Sequence, residues 1–383
     1  MLKSLQPKVS PQGDDTKRAI IYFTLSFLSG ALETGVVTVG VINFNLFAGL
    51  AFVFAYQVGC LTRNPLRLSS AGAALALCCS LPLLFLIHDS IPMLLIVTLL
   101  VSTGIQCARE GLLTEQYKSS LATKRIVRVS GFICGILGGA IIGVTLLTCI
   151  SILACLIVVF VAIRTQCRGN YINLNKKFLS DRFGWIMLFH QVHYFAYAYV
   201  LLAILLTPQP HSLREPAQWQ IMTSSGWFAL GWFSYISGKW LFMDVFKMSP
   251  FQAVVTGHIW VVGCLACMAA FNNHQFILGL AWVLGGFGGG SVYAIKDLAR
   301  KCSCKADMEL WEHWGHVIGV FLSIVSVFVF PCNLAVPFIL ALIAALLTLM
   351  LLLSVERPTI SSCRTRRIST SIRIAAAANY YKE

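Results

Sequence analysis

The sequence predicts an all-α membrane protein with twelve transmembrane helices in two six-helix pseudo-repeat bundles. Three observations predict it. Hydrophobic residues make up 57% of the 383 and charged ones only 11%, where a soluble domain carries about 25% charged residues; lipid is therefore the solvent this chain can face. Apolar runs near the ~20 residues a helix needs to cross a bilayer recur along the whole length. The basic residues fall almost entirely in alternate connections between these runs, which is how a multi-span chain is oriented.

The polar N-tail, residues 1–18, holds Pro7, Pro11, Asp14 and Asp15 and lacks a signal-peptide pattern. The first six-helix bundle occupies 19–163. Its spans are expected at 19–42, 46–61, 68–87, 92–113, 129–147 and 148–163, with a tight turn at Asn43–Asn45 and a basic loop at 114–128. Residues 164–182 are the longest polar interruption between the tails. They carry Arg164, Arg168, Lys176, Lys177 and Arg182 against one acid, Asp181, and are expected to form a cytoplasmic hinge loop. The second bundle occupies 183–355, with spans at 183–206, 218–242, 250–271, 276–295, 313–330 and 334–355 and a charged loop at 296–312. The tail 356–383 is basic and serine-rich, the composition of a flexible segment.

With the N-terminus in the cytoplasm, 28 of the 29 lysines and arginines lie on the cytoplasmic side and only Arg214 lies outside. One missed helix would invert every later loop, so this bias supports twelve spans with both termini cytoplasmic, in a cytoplasmic or plasma membrane. It also accounts for the net charge of +14 without a nucleic-acid partner. Most of the 14 cysteines lie inside apolar runs, as small buried hydrophobes do; Cys302 and Cys304 are the one close pair in a loop.

The halves echo each other. Span 4 ends in Arg109-Glu110 and span 10 in Lys296-Asp297, and each doublet precedes a charged loop and a span opening near a glycine, Gly131 or Gly315. Parallel repeats of this kind mark transporters. The sequence after span 2 reads Gly59-Cys60-Leu61-Thr62-Arg63-Asn64-Pro65-Leu66-Arg67. With its six-plus-six spans and long middle loop, the chain resembles the major facilitator superfamily, whose corresponding loop reads G-x-L-a-D-r-x-G-r-k; Arg63 replaces the family aspartate. Span 5 holds Gly131, Gly135, Gly138 and Gly139, comparable to the glycine-rich fifth span of antiporter-type members, although Ile136 stands where they have proline. Small residues there let helices pack closely and slide.

Of the 15 acids only Glu33 falls well inside a span, 14 residues past Ala19 and so about 21 Å along it. An intramembrane carboxyl is a functional candidate, either as the site of proton coupling or as a hydrogen bonder between helices. His190, His193, Tyr194 and Tyr197 share one face of span 7. The resemblance implies that spans 1, 4, 7 and 10 line a central cavity, where this stripe and Tyr293 would bind a polar substrate; an aromatic packing face is the competing reading. His190 and His193 alone predict no metal site, because no carboxylate or cysteine adjoins them in sequence. No cofactor is expected. Trp227, Trp232 and Tyr235 read as packing contacts, and Trp311, His313, Trp314 and His316 as interfacial aromatics.

Arg63, Arg109, Glu110, Lys296 and Asp297 are candidate gating charges. The glycine run 285–290 sits within an apolar span with no Walker motif, so it reads as a hinge rather than a nucleotide loop. These features point to a secondary active transporter, not an enzyme: proton-coupled efflux of a small organic molecule such as a siderophore or similar polar metabolite. A proton-linked importer, a non-transporting scaffold and a membrane-embedded enzyme are the alternatives. The expected partners are a small-molecule substrate, protons and the lipid bilayer.

Overall fold

The computed structural model describes residues 12–62, 90–114, 121–140, 156, 182–206, 218–301, 308–331 and 333–354. Expected span 3, span 6 apart from Leu156, the hinge loop apart from Arg182, the C-tail, Arg63 and the Cys302/Cys304 pair lie outside the described residues. All regular structure among the described residues is helical. The helices are α1 (Gln12–Asn43), α2 (Leu46–Thr62), α3 (Ile91–Thr114), α4 (Leu121–Ala140), α5 (Arg182–Leu206), α6 (Gln218–Trp240), α7 (Pro250–Ala270), α8 (Gln275–Gly290), α9 (Ala294–Lys301) and α10 (Met308–Val329), followed by α11 (Val336–Ser354). Six described helical segments are long and apolar enough to cross a membrane: Ser26–Asn43, Arg182–Leu206, Pro250–Ala270, Gln275–Ala299, Leu310–Val329 and Val336–Ser354.

Local chemistry explains several boundaries. Asn45 turns the chain between α1 and α2, its Oδ1 accepting from the Ala48 amide at 2.8 Å. Ser249 caps α7: its hydroxyl accepts from the Gln252 amide at 3.4 Å, and Gln252 Oε1 accepts from the Ser249 amide at 3.1 Å. Pro250 takes the first helical position, where a missing N–H costs nothing.

Four boundaries differ from expectation. α1 begins at Gln12, α4 at Leu121 and α10 at Met308, and helix resumes through Lys296 to Lys301 in α9. The parts of the expected basic and charged loops that lie in these helices are therefore helical. Backbone hydrogen bonding continues wherever side chains permit, whereas hydropathy marks only the part that meets lipid. In α9 and its neighbours the charges are paired: Lys239 with Asp297 at 2.6 Å and Lys296 with Glu312 at 2.8 Å. Span 10 is also not one straight helix. A 3₁₀ turn, Ser291–Tyr293, follows the glycine run and separates α8 from α9.

The chain forms two compact units, one of Met1–Ile172 with Leu206–Ala229 and the other of Asn173–Leu205 with Leu230–Glu383. In the first, α4 lies along α1, and α2 packs against both α1 and α3. The α1–α4 contact is very close. A Cβ on Gly131, Gly135 or Gly139 would run into the backbone oxygen of Phe23, Phe27 or Ala31 respectively, one turn apart on each helix, while Gly138 has ordinary clearance from the Phe27 ring.

In the second unit α5 is the central helix. Nearly every residue from Phe183 to Leu206 is buried, which explains why it is apolar all round rather than on one stripe. α10 meets it through Gly315 and Gly319, and Ser323 donates to the Ala196 carbonyl at 2.7 Å. α6 and α8 approach through Gly231, Gly238, Gly286 and Gly290. The outer faces carry large apolar side chains such as Phe276, Phe328 and Met350, each about two-thirds or more exposed; in a bilayer this is lipid-facing surface.

Candidate functional site

Glu33 belongs to α1. The apolar stretch of span length in that helix is Ser26–Asn43, so Glu33 sits about 10 Å from its start, nearer mid-membrane than a span from Ala19 would place it. Its side chain is buried, 8% exposed, in a polar seam within the first unit. Gln57 of α2 donates from Nε2 to Glu33 Oε1 at 3.0 Å. One turn away Ser29 and Tyr56 share a hydrogen bond of 2.9 Å. The carboxyl is thus pre-positioned by a neutral partner that serves its charged and protonated forms alike.

His190, His193, Tyr194 and Tyr197 are all buried, 0–1% exposed. Two residues from other helices join them: Tyr235 of α6 and His258 of α7. The His190 ring lies 4.7 Å from His193 and 5.1 Å from His258 between centroids. Tyr194 is enclosed by Tyr235 at 4.2 Å, Trp282 at 5.1 Å and Trp232 at 5.3 Å. Tyr197 lies against Trp282 and Phe338. Tyr293 stands at the edge of the group, 5.6 Å from Tyr235, with the Lys296 ammonium 5.0 Å above its ring.

The hydrogen bonds fix the tautomers. His258 Nδ1 lies 2.8 Å from the Val254 carbonyl, which can only accept, so Nδ1 carries the proton and Nε2 presents a lone pair. His190 Nδ1 is 3.0 Å from that Nε2 and therefore donates to it. His190 Nε2 then accepts from the Tyr235 hydroxyl at 3.0 Å, and Gln191 Nε2 donates to the Tyr235 oxygen at 3.1 Å. His193 is different. Neither of its nitrogens makes a hydrogen bond; the Phe189 carbonyl one turn earlier interacts with it but not in hydrogen-bonding geometry. The Tyr194 hydroxyl also makes none. Buried polar atoms of this kind are rare and call for an explanation.

The other sequence-predicted residues fall apart from this cluster. Arg109 and Glu110 lie in the last turns of α3, with side chains outside the described set. Lys296 and Asp297 pair with Glu312 and Lys239 inside their own unit. Gly59 packs hard against Leu99 and Ser102 of α3, and its carbonyl accepts from Thr103 at 3.0 Å. Trp311, read as an interfacial aromatic, is buried against Gly184 and Trp185. Sequence reasoning missed His258 as a partner and read Tyr235 as packing. A lone histidine in an apolar span was the available signal for the first.

No protein-family model and no curated protein matches the chain. Solved structures do match in fold. An auto-inhibited POT family peptide transporter superposes with a TM-score of 0.65 at 11% identity, covering 90% of this chain and 97% of that one. The nucleoside transporter NupG gives 0.63 at 15% identity over 89% and 97%. A bacterial metal transporter gives 0.61 at 12% identity over 93% and 100%. The chain is a multi-pass integral membrane protein that shares its fold with these transporters.

Proposed function

We propose that the chain is a secondary active transporter that moves a small organic molecule out of the cytoplasm, driven by protons exchanged at Glu33. Two six-helix halves would rock about a central site, opening it to each side in turn. The observation that carries this reading is a buried carboxyl within an apolar, span-length helix, in a chain sharing its fold with solute carriers over about nine-tenths of its length. A charge at that depth is expensive and is retained where ions or protons move. His190, His193, Tyr194, Tyr197 and Tyr293 would recognise a polar solute such as a siderophore. Arg63, Arg109, Glu110, Lys296 and Asp297 would exchange ion partners as a cytoplasmic gate opens and closes. A membrane-embedded enzyme is the less favoured reading, because the solved structures that share this fold are transporters.

The test is transport by purified protein in sealed vesicles, screened against polar metabolites with a pH gradient imposed in either direction. Efflux predicts that solute accumulates on the side from which protons leave, and that dissipating the gradient stops accumulation. Accumulation on the side that protons enter would make the chain an importer. Movement indifferent to the gradient in either direction would remove proton coupling.

A further inference from the structure

We propose that His190, His193 and His258 form a binding site for a single late first-row transition-metal ion, Cu⁺ or Zn²⁺, inside the second unit. Their candidate ligand nitrogens all lie within 4.8 Å of one another. An ion bound about 2.0–2.1 Å from each imidazole nitrogen holds those nitrogens roughly 3.3 Å apart, so small ring movements complete the site. The hydrogen-bond pattern is what such a site requires. His258 donates Nδ1–H to the Val254 carbonyl and presents its Nε2 lone pair to His190 Nδ1 at 3.0 Å, the backbone anchoring typical of a metal-ligating histidine.

His193 supplies the second argument. It is fully buried, yet its nitrogens make no hydrogen bond. A plain packing role leaves that cost unexplained; an ion between the three rings accounts for it.

The protons balance without net release. When His190 Nδ1 gives its lone pair to the ion, its proton is transferred to Nε2. Nε2–H then donates to the Tyr235 oxygen, and the Tyr235 hydroxyl turns to Gln191 Oε1, now 3.5 Å away. Imidazole suits copper and zinc and disfavours hard cations such as Mg²⁺. The ligands are neutral and the surroundings apolar, so the ion of lower charge is the tighter binder. Cu⁺ is therefore expected to outcompete Zn²⁺.

His190 and His193 are shared with the proposed solute site, but the test is independent of transport, since it needs neither gradient nor solute. Metal-stripped full-length protein in detergent is incubated with Zn²⁺, with Cu⁺ kept reduced, or with Mg²⁺, then desalted. Bound metal is counted by mass spectrometry and stability is followed by thermal unfolding. One Cu⁺ or one Zn²⁺ per chain, raising the melting temperature, is expected, with no Mg²⁺ retained. His193→Leu and His258→Asn should each reduce occupancy at least about tenfold. The metal-free His193→Leu protein should melt no lower than wild type, because His193 has no hydrogen bond to lose; this readout holds even if His258→Asn fails to fold. Wild-type protein that retains neither ion, or a His193→Leu variant that retains the full amount, overturns the proposal.

Discussion

Glu33→Gln is expected to fold normally and to lose gradient-driven accumulation completely, while exchange of solute without a gradient continues. Glutamine keeps an oxygen where Gln57 Nε2 donates at 3.0 Å, so the seam between α1 and α2 survives. It cannot take up or release a proton. One pH unit is worth about 1.4 kcal/mol per proton, or about tenfold in accumulation, and the variant should retain none of it. Glu33→Leu is the companion. It takes that acceptor from Gln57 and should lower stability by about 1–3 kcal/mol. If Glu33→Gln accumulates solute like wild type while Glu33→Leu is merely unstable, Glu33 is a hydrogen bonder between helices and the coupling group lies elsewhere.

Gly290→Leu is expected to have the largest effect on folding, with no stable monodisperse protein recovered in detergent. A Cβ at this position falls on the Tyr235 carbonyl and beside Gly238, so the clash is with backbone of α6, which no side-chain rotation relieves. Overpacking of this kind commonly costs about 1–3 kcal/mol, and a whole leucine against backbone lies at or above the upper end. It would also displace Tyr235 from His190, where the hydroxyl now sits 3.0 Å from Nε2. Gly263 provides the contrast. Its Cβ position meets nothing within 4 Å, so Gly263→Ala should be neutral or gain up to about 1 kcal/mol from helix propensity. Thermal unfolding of both variants in one detergent reads the difference. Equal melting temperatures would mean that α6 and α8 are not in contact.

The six described segments of span length were legible because bilayer thickness sets the length of an apolar run, and because turn chemistry marks the ends. Ser249-Pro250 with Gln252 announces α7 at the residue where it starts. The helical segments from Leu121 to Arg128 and from Met308 to Glu312 were not legible. They continue beyond the apolar stretch, where hydropathy carries no signal.

The site was half visible. Spacing brought His190, His193, Tyr194 and Tyr197 to one face, but α5 is buried on all sides, so that face is not singled out by exposure. The joining of His190 to His258, 68 residues apart, depends on the register of α5 against α7, which only tertiary packing sets. Tyr235 does pack, against Tyr194 at 4.2 Å; its hydrogen bond to His190 was not legible, because aromatic residues in an apolar span look alike until the partner of the hydroxyl is known. Among the span 5 glycines, the four-residue spacing of Gly131, Gly135 and Gly139 matches a stripe against α1, and Gly138 stands outside it.

A carrier with two six-helix halves requires both termini and residues 164–182 to lie on one face of the membrane. Topology reporters inserted near the N-terminus, within 164–182 and near residue 383 test this in intact cells. All three are predicted to report the cytoplasm. A middle reporter on the opposite face from the two ends would give each half an odd number of crossings and contradict the proposed carrier architecture.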